Sequence, residues 1–313
     1  MESLDPLSWS WRSIFVGIVG SSVVLWGVYK ATRSRRRLKL QLSDKVVCVT
    51  GATGGLGLAL SRTLAAQGAR LVLTGRNMDA LRRLSFDLSE IYPQIHAPVL
   101  VELDLADLAV LESKAKEILN AFGHVDVIIH NAGVSSRGSV MDNSFSVDFE
   151  VMKINYLAPV ALTKEILPAM IKQGGGTIAV VSSVQGRIAI PERSSYAASK
   201  HAIQAYFDAL RAEVHEQNIS VLVVSPGYIR TNLSLNALTG QGKIYGKMDE
   251  TTARGMDPME VADRIIRAVE TREEELLICD IKTQFAIYLR TLRPSFYFKL
   301  MSKRAAKNKT DKR

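Results

Sequence analysis

Short uninterrupted apolar runs alternate with stretches of helical periodicity along most of this chain. Val46 to Val49 and the Arg70 to Thr74 segment read as strands, apolar at nearly every position. Between them, Leu60, Leu64 and Ala65 recur at helical spacing, which predicts a helix with one apolar face. The alternation continues without a linker from Val46 to Cys279, so the pattern predicts an α/β fold. At 313 residues, one large domain is favoured over two small ones.

Both ends break the pattern. Ser13 to Tyr29 is uncharged and largely apolar, with Trp9 and Trp11 before it. A spanning helix needs about 17 to 25 residues and a secretory core about 7 to 15, so the stretch can just span a membrane. Its aromatic borders, the basic run that follows and the lack of a small-residue cleavage pattern predict an uncleaved transmembrane anchor at 13–29. A tail (1–12) precedes it and a basic linker (30–43) follows, leading to the α/β domain at 44–284. Lys30, Arg33, Arg35, Arg36, Arg37 and Lys39 lie on the far side of the span from Glu2 and Asp5, which places the domain in the cytosol. With a lumenal domain instead, the sequons at Asn218, Asn232 and Asn308 would be glycan acceptors. Residues 285–313 mix Phe285, Tyr288, Leu292, Phe296 and Phe298 with Arg290, Arg293, Lys299 and Lys303, a basic amphipathic segment too charged to span. It fits a membrane interface, and equally an apolar face packed on the domain or on a second subunit.

Charge sharpens this picture. The net charge is +9, but residues 1–45 carry eight Lys/Arg against three Asp/Glu and residues 299–313 carry seven against one, so the central domain is slightly acidic. With the basic excess beside apolar segments and no reading module, nucleic acid is excluded as a partner and a lipid bilayer is favoured. Cys48 and Cys279 sit singly in apolar runs, as small hydrophobes in a reducing setting. No cluster of Cys and His has metal-ligand spacing, so no metal is expected.

The chemistry concentrates in two places. Tyr196 and Lys200, four residues apart in Ser-Tyr-Ala-Ala-Ser-Lys-His, stack a phenol and an ammonium on one helix face. A neighbouring cation stabilises phenolate, so the spacing predicts a depressed Tyr196 pKa and proton exchange with a substrate oxygen. Upstream, the first strand runs into Thr50-Gly51-Ala52-Thr53-Gly54-Gly55-Leu56-Gly57 and then a helix. Glycines there let a dinucleotide pyrophosphate approach the backbone and the positive end of the helix. After the second strand, Arg76 stands where an NAD-preferring protein would place an acid on the ribose hydroxyl. A guanidinium can instead pair with a 2′-phosphate, which predicts NADP(H).

The spacing T-G-x-x-x-G-x-G resembles the short-chain dehydrogenase/reductase family. Asp104 at the end of a third strand, Asn131-Ala132-Gly133 after a fourth, Asn155 in a helix, Ser183 thirteen residues before Tyr196, and Pro226-Gly227 follow in the family's order, so the resemblance covers roughly residues 44–280. It implies a Rossmann-type doubly wound parallel sheet, here preceded by the single transmembrane helix. It implies cofactor contacts from Thr50, Gly51, Thr53, Gly55, Leu56, Gly57, Arg76, Asp104, Asn131, Ala132, Gly133, Tyr196, Lys200, Pro226, Gly227 and Thr231, the last on the nicotinamide carboxamide. It also implies a catalytic Asn155, Ser183, Tyr196 and Lys200. Ser183 is then the hydrogen-bond donor to the substrate oxygen, Tyr196 the acid, Lys200 a holder of the nicotinamide ribose, and Asn155 a holder of the water that relays the proton. Where the family usually has Asn, this chain has His130, expected to be a satisfied structural residue. In the family, helices around the positions of Asn155 and Tyr196 form dimer and tetramer interfaces, so the resemblance leaves a homodimer or tetramer open.

Residues 228 to 258, rich in Gly, Thr and Asn, fit a mobile lid. The anchor and Leu233, Leu235 and Leu238 in that segment suggest a small lipophilic carbonyl substrate. The contrasting reading is a catalytically silent NADPH-binding scaffold. The C-terminal Thr-Asp-Lys-Arg is neither a peroxisomal nor a lumenal retention address, and the endoplasmic reticulum membrane is the default for such an anchor, with the peroxisomal membrane as the alternative.

Overall fold

A computed structural model describes residues 40–310. The predicted tail and anchor, and all but the end of the basic linker, lie outside the described residues. Among the described residues no helix is long and apolar enough to cross a membrane.

Seven parallel strands form the sheet: β1 (Val46–Val49), β2 (Arg70–Gly75), β3 (Val99–Glu102), β4 (Val127–His130), β5 (Gly176–Val181), β6 (Ile219–Pro226) and β7 (Glu275–Ile278). Their order is β3-β2-β1-β4-β5-β6-β7. Val49 pairs with Leu73 on one side and Ile129 on the other. Every residue of β1 and β4 is buried, as continuous apolar strands covered on both faces must be. Alternate residues serve opposite layers. Val46, Cys48 and Ile128 join a core with α3 (Leu111–Asn120), α5 (Ala158–Lys172) and α6 (Ser194–Glu213). On the other layer α1 (Gly55–Ala66) packs against α8 (Pro258–Glu270). The strand order turns back between β1 and β4, and there the C-terminal strand ends open a crevice.

Several boundaries differ from expectation. Asp104 lies two residues beyond β3, and Pro226 closes β6 rather than following it. The 228–258 segment has structure of its own. Leu238–Thr239 pairs in parallel with Ser136–Arg137, Ile229 bridges Met256, and α7 (Glu250–Ala253) is a single turn. Residue 285 falls inside α9 (Ile281–Leu292), which with α10 (Pro294–Thr310) belongs to the same compact unit as the sheet.

The helix carrying Asn155 is interrupted. α4 (Phe145–Met152) passes through a π turn (Lys153–Leu157) into α5. Pro159, four residues after Asn155, has no N–H to offer the Asn155 carbonyl, so a regular α-helical ladder cannot continue there.

Candidate active site

The glycine turn is tied from both sides. Thr50 Oγ1 accepts from the backbone N–H of Asn131 (3.0 Å) and of Ala132 (3.1 Å), and Asn131 Nδ2 donates to the carbonyls of Thr50 (2.9 Å) and Gly51 (3.2 Å). Thr50 and Asn131 are therefore clamps that hold β1 and β4 in register at the site. Gly51 has φ +64°, and a Cβ there would lie 2.9 Å from Ala132 Cα. At Gly57 a Cβ would run into the Gly51 carbonyl oxygen, so turn and helix close on each other only with glycine. The N-cap of α1, Gly54, brings no side chain to the first N–H groups.

These residues border a cleft of about 460 Å³. Its lining includes Thr50, Gly51, Thr53, Gly55, Leu56, Gly57, Arg76, Asp104, Asn131, Ala132, Gly133, Ser183, Tyr196, Lys200, Pro226, Gly227 and Thr231. Of the catalytic and cofactor-binding residues expected from sequence, Asn155 alone is not in the lining. A bare helix N-terminus, a glycine cradle that a Cβ would fill and a cation beyond β2 fit a dinucleotide. Arg76 is exposed and has no ion-pair partner among the described residues, while Asp104 Oδ1 caps the Ala106 N–H at 3.0 Å.

Tyr196 and Lys200 sit one turn apart near the start of α6, both buried. Lys200 Nζ donates to the Val181 carbonyl at 2.9 Å and lies 5.8 Å from the Tyr196 ring centroid. Burial holds the Lys200 ammonium down to about 8. For Tyr196 the outcome reverses the expectation: burial pushes the phenol above its ordinary value, against the Ser183 hydrogen bond and the positive charges of Arg193 and Arg137. Spacing put Lys200 beside the ring, but its ammonium is turned to a backbone carbonyl, and desolvation wins. Ser183, just past β5, accepts from the Gln185 N–H at 3.1 Å, which fixes its hydroxyl at the cleft.

Asn155 acts one layer back. Its Oδ1 accepts from the Val134 N–H (2.8 Å), and its Nδ2 donates to the Val134 carbonyl (2.8 Å) and to Ser199 Oγ (2.9 Å). The side chain thus locks the strand exit beside Gly133 to the Tyr196 helix, with both Nδ2 hydrogens engaged.

One feature was missed in sequence. Arg137 Nε and Nη2 donate to Asp249 Oδ2 at 2.9 and 2.6 Å, and Arg193 Nη2 reaches the same oxygen at 2.9 Å. Both arginines line the cleft, and Asp249 belongs to the 228–258 segment, so this triad pins that segment at the cleft. Burial pushes the Asp249 carboxyl up, yet the hydrogen bonds and charges of Arg137 and Arg193 together hold it below the usual carboxylate range. These residues are far apart in the chain and no spacing links them. His130, singled out from sequence, departs from the fully satisfied residue expected there. Thr163 Oγ1 donates to the Pro159 carbonyl (2.7 Å) and so accepts from His130 Nε2–H (2.9 Å). The buried Nδ1 has no partner among the described residues, so His130 is half satisfied, and burial holds it neutral with a pKa of about 3.

Residues 45–241, which hold the turn, Ser183, Tyr196 and Lys200, match the family model described as short chain dehydrogenase. The chain belongs to the short-chain dehydrogenase/reductase family. Among curated relatives of this family, dehydrogenase/reductase SDR family member 7B of Bos taurus is 50% identical over 279 residues, covering 88% of this chain and 86% of the relative. A short-chain dehydrogenase from Shigella flexneri solved with NADP superposes with TM-score 0.67 at 26% identity, over 76% of this chain and 98% of that one. Another from Burkholderia phymatum, in complex with NAD, gives TM-score 0.72 at 21% identity over 82% and 96%, a likeness of fold. As a short-chain dehydrogenase/reductase, the protein is an oxidoreductase with a nicotinamide cofactor.

Proposed function

We propose that the protein is a membrane-anchored, NADP(H)-dependent oxidoreductase that interconverts a lipophilic ketone or aldehyde and its alcohol. The observation that carries this reading is the meeting of Ser183, Tyr196 and Lys200 in the cleft that the glycine turn opens. When bound, the nicotinamide supplies or accepts the hydride at the substrate carbon. Ser183 Oγ donates a hydrogen bond to the substrate oxygen, where negative charge develops during reduction. Tyr196 gives that oxygen its proton. A phenol held protonated by burial is already in the form that an acid requires, and the charges of Arg193 and Arg137 ease the loss of its proton. Lys200 supplies a buried ammonium behind the ring and holds the ribose, and the Asn155 π turn fixes the spacing between strand exit and Tyr196 helix.

Support for NADP(H) over NAD(H) is Arg76, which lines the cleft and has no ion-pair partner among the described residues. Support for the bilayer is the uncharged 13–29 stretch with its basic flank, which favours the endoplasmic reticulum membrane and a cytosolic domain. A dimer or tetramer built on the α4–α6 surface belongs to the same reading.

The test is nucleotide consumption by the full chain in detergent against steroid, retinoid and glycerolipid ketones. Turnover with at least one, and an Arg76→Ala variant whose NADPH affinity falls about tenfold while NADH affinity is unchanged, is the expected result. Tight NADPH binding with no turnover of any carbonyl would contradict the enzyme reading, and equal losses for both nucleotides would contradict the cofactor assignment.

A further inference from the structure

The α9–α10 hairpin has two dissimilar sides. Toward the domain, Tyr297 is only 2% exposed and its hydroxyl donates to the Ala189 carbonyl at 2.6 Å. Ala189 lies in the segment that leads into the Tyr196 helix, and Arg304 of α10 lines the cleft. The hairpin is thus part of the wall of the site.

The outward side is apolar and cationic together. No residue of α9 is buried. Phe285 is 64% exposed, Leu292 73% and Phe296 55%, large side chains that water solvates poorly. Between Ile281 and Ala306 the exposed Lys282, Arg290, Arg293, Lys299 and Lys303 stand beside them with no Asp/Glu in that stretch, Arg304 being the one further cation, at the cleft. Such a surface is matched by apolar material under an anionic layer. A second copy packed face to face about a two-fold axis would set this acid-free cationic surface against itself. Burial within one chain is also a poor account, because Tyr297 already fixes which side faces inward.

We propose that the α9–α10 hairpin is a docking surface for a bilayer containing anionic lipid, and that it seats the mouth of the cleft at headgroup level, where a lipophilic substrate can pass from membrane to site. The last clause rests on the substrate reading given above; the docking does not. Aromatic and aliphatic side chains enter the headgroup boundary, the basic residues remain at the phosphate layer, and Tyr297 couples the seated hairpin to the Ala189 segment.

The experiment is hydrogen–deuterium exchange of residues 281–306 in the full chain reconstituted in phosphatidylcholine vesicles with or without phosphatidylserine. An anchor at 13–29 would hold the protein in both, so the difference reports the hairpin. Exchange should slow about tenfold or more with phosphatidylserine, and high salt should restore it. A Phe285→Ser/Leu292→Ser/Phe296→Ser variant should lose that protection with NADPH affinity unchanged. Equal exchange in the two vesicle types would overturn the proposal. Protection that follows protein density rather than lipid charge would also overturn it, and would assign the face to a second copy. Because exchange needs no turnover, failure of the substrate reading would show instead as wild-type protection without activity on any lipophilic ketone.

Discussion

Burial and hydrogen bonding pull the Tyr196 phenol in opposite directions, and burial prevails. Replacing it with Phe removes the proton donor and little volume, so turnover should fall by about 10²- to 10⁴-fold in steady-state assays, with NADPH affinity within a few-fold of wild type. His130 carries a separate consequence. Unfolded, a histidine takes a proton near pH 6.5; folded, His130 refuses it until about pH 3. Between those values the unfolded chain binds the extra proton, so the stability this residue contributes is present above pH 6.5 and is lost as pH falls, by about 1.4 kcal/mol per unit. Denaturation curves of wild type and His130→Gln over that range should differ in slope, with the variant flatter; identical slopes would refute the assignment. Single residues were legible where chemistry restricts their type, as at Tyr196, Lys200 and Gly57. The direction of the Tyr196 shift was not, because it depends on which way the Lys200 ammonium turns.

Strands announced themselves because a parallel strand covered on both faces is apolar throughout, and β1 falls where its apolar run does. The π turn did not, although Pro159 four residues after Asn155 was a readable sign of a broken ladder. Asn155→Ala would leave the half-buried Val134 N–H and carbonyl and the buried Ser199 hydroxyl short of a partner. The cost should be about 3 kcal/mol, or roughly 5 to 10 °C in Tm by calorimetry, with activity lost alongside. The Arg137–Asp249–Arg193 triad joins three elements that sequence treats separately, and each charge alone reads as a solvated residue. Asp249→Asn should free the 228–258 segment from its clamp. Limited proteolysis there should quicken, and KM for the carbonyl should rise about tenfold with NADPH affinity unchanged. A variant with wild-type protease resistance and KM would show that the triad does not hold the segment.

For the whole molecule, the α/β class follows from the strand–helix alternation and the doubly wound sheet was implied by the family resemblance, whereas the seating of the C-terminal helices follows from one buried tyrosine. An amphipathic pattern names no partner, and the contact of Tyr297 with Ala189 settles which side faces the domain. Tyr297→Phe should cost about 1 kcal/mol and speed exchange of residues 281–306, with Ser183, Tyr196 and Lys200 undisturbed. The central claim is hydride transfer in the cleft with Tyr196 as the acid. Its most direct test is transfer of deuterium from C4-labelled NADPH to a lipophilic ketone, read by mass spectrometry of the alcohol, with Tyr196→Phe beside wild type. Wild type should give labelled alcohol and a variant that still binds NADPH almost none; unlabelled alcohol, or equal label from both proteins, would contradict hydride transfer with Tyr196 as the acid.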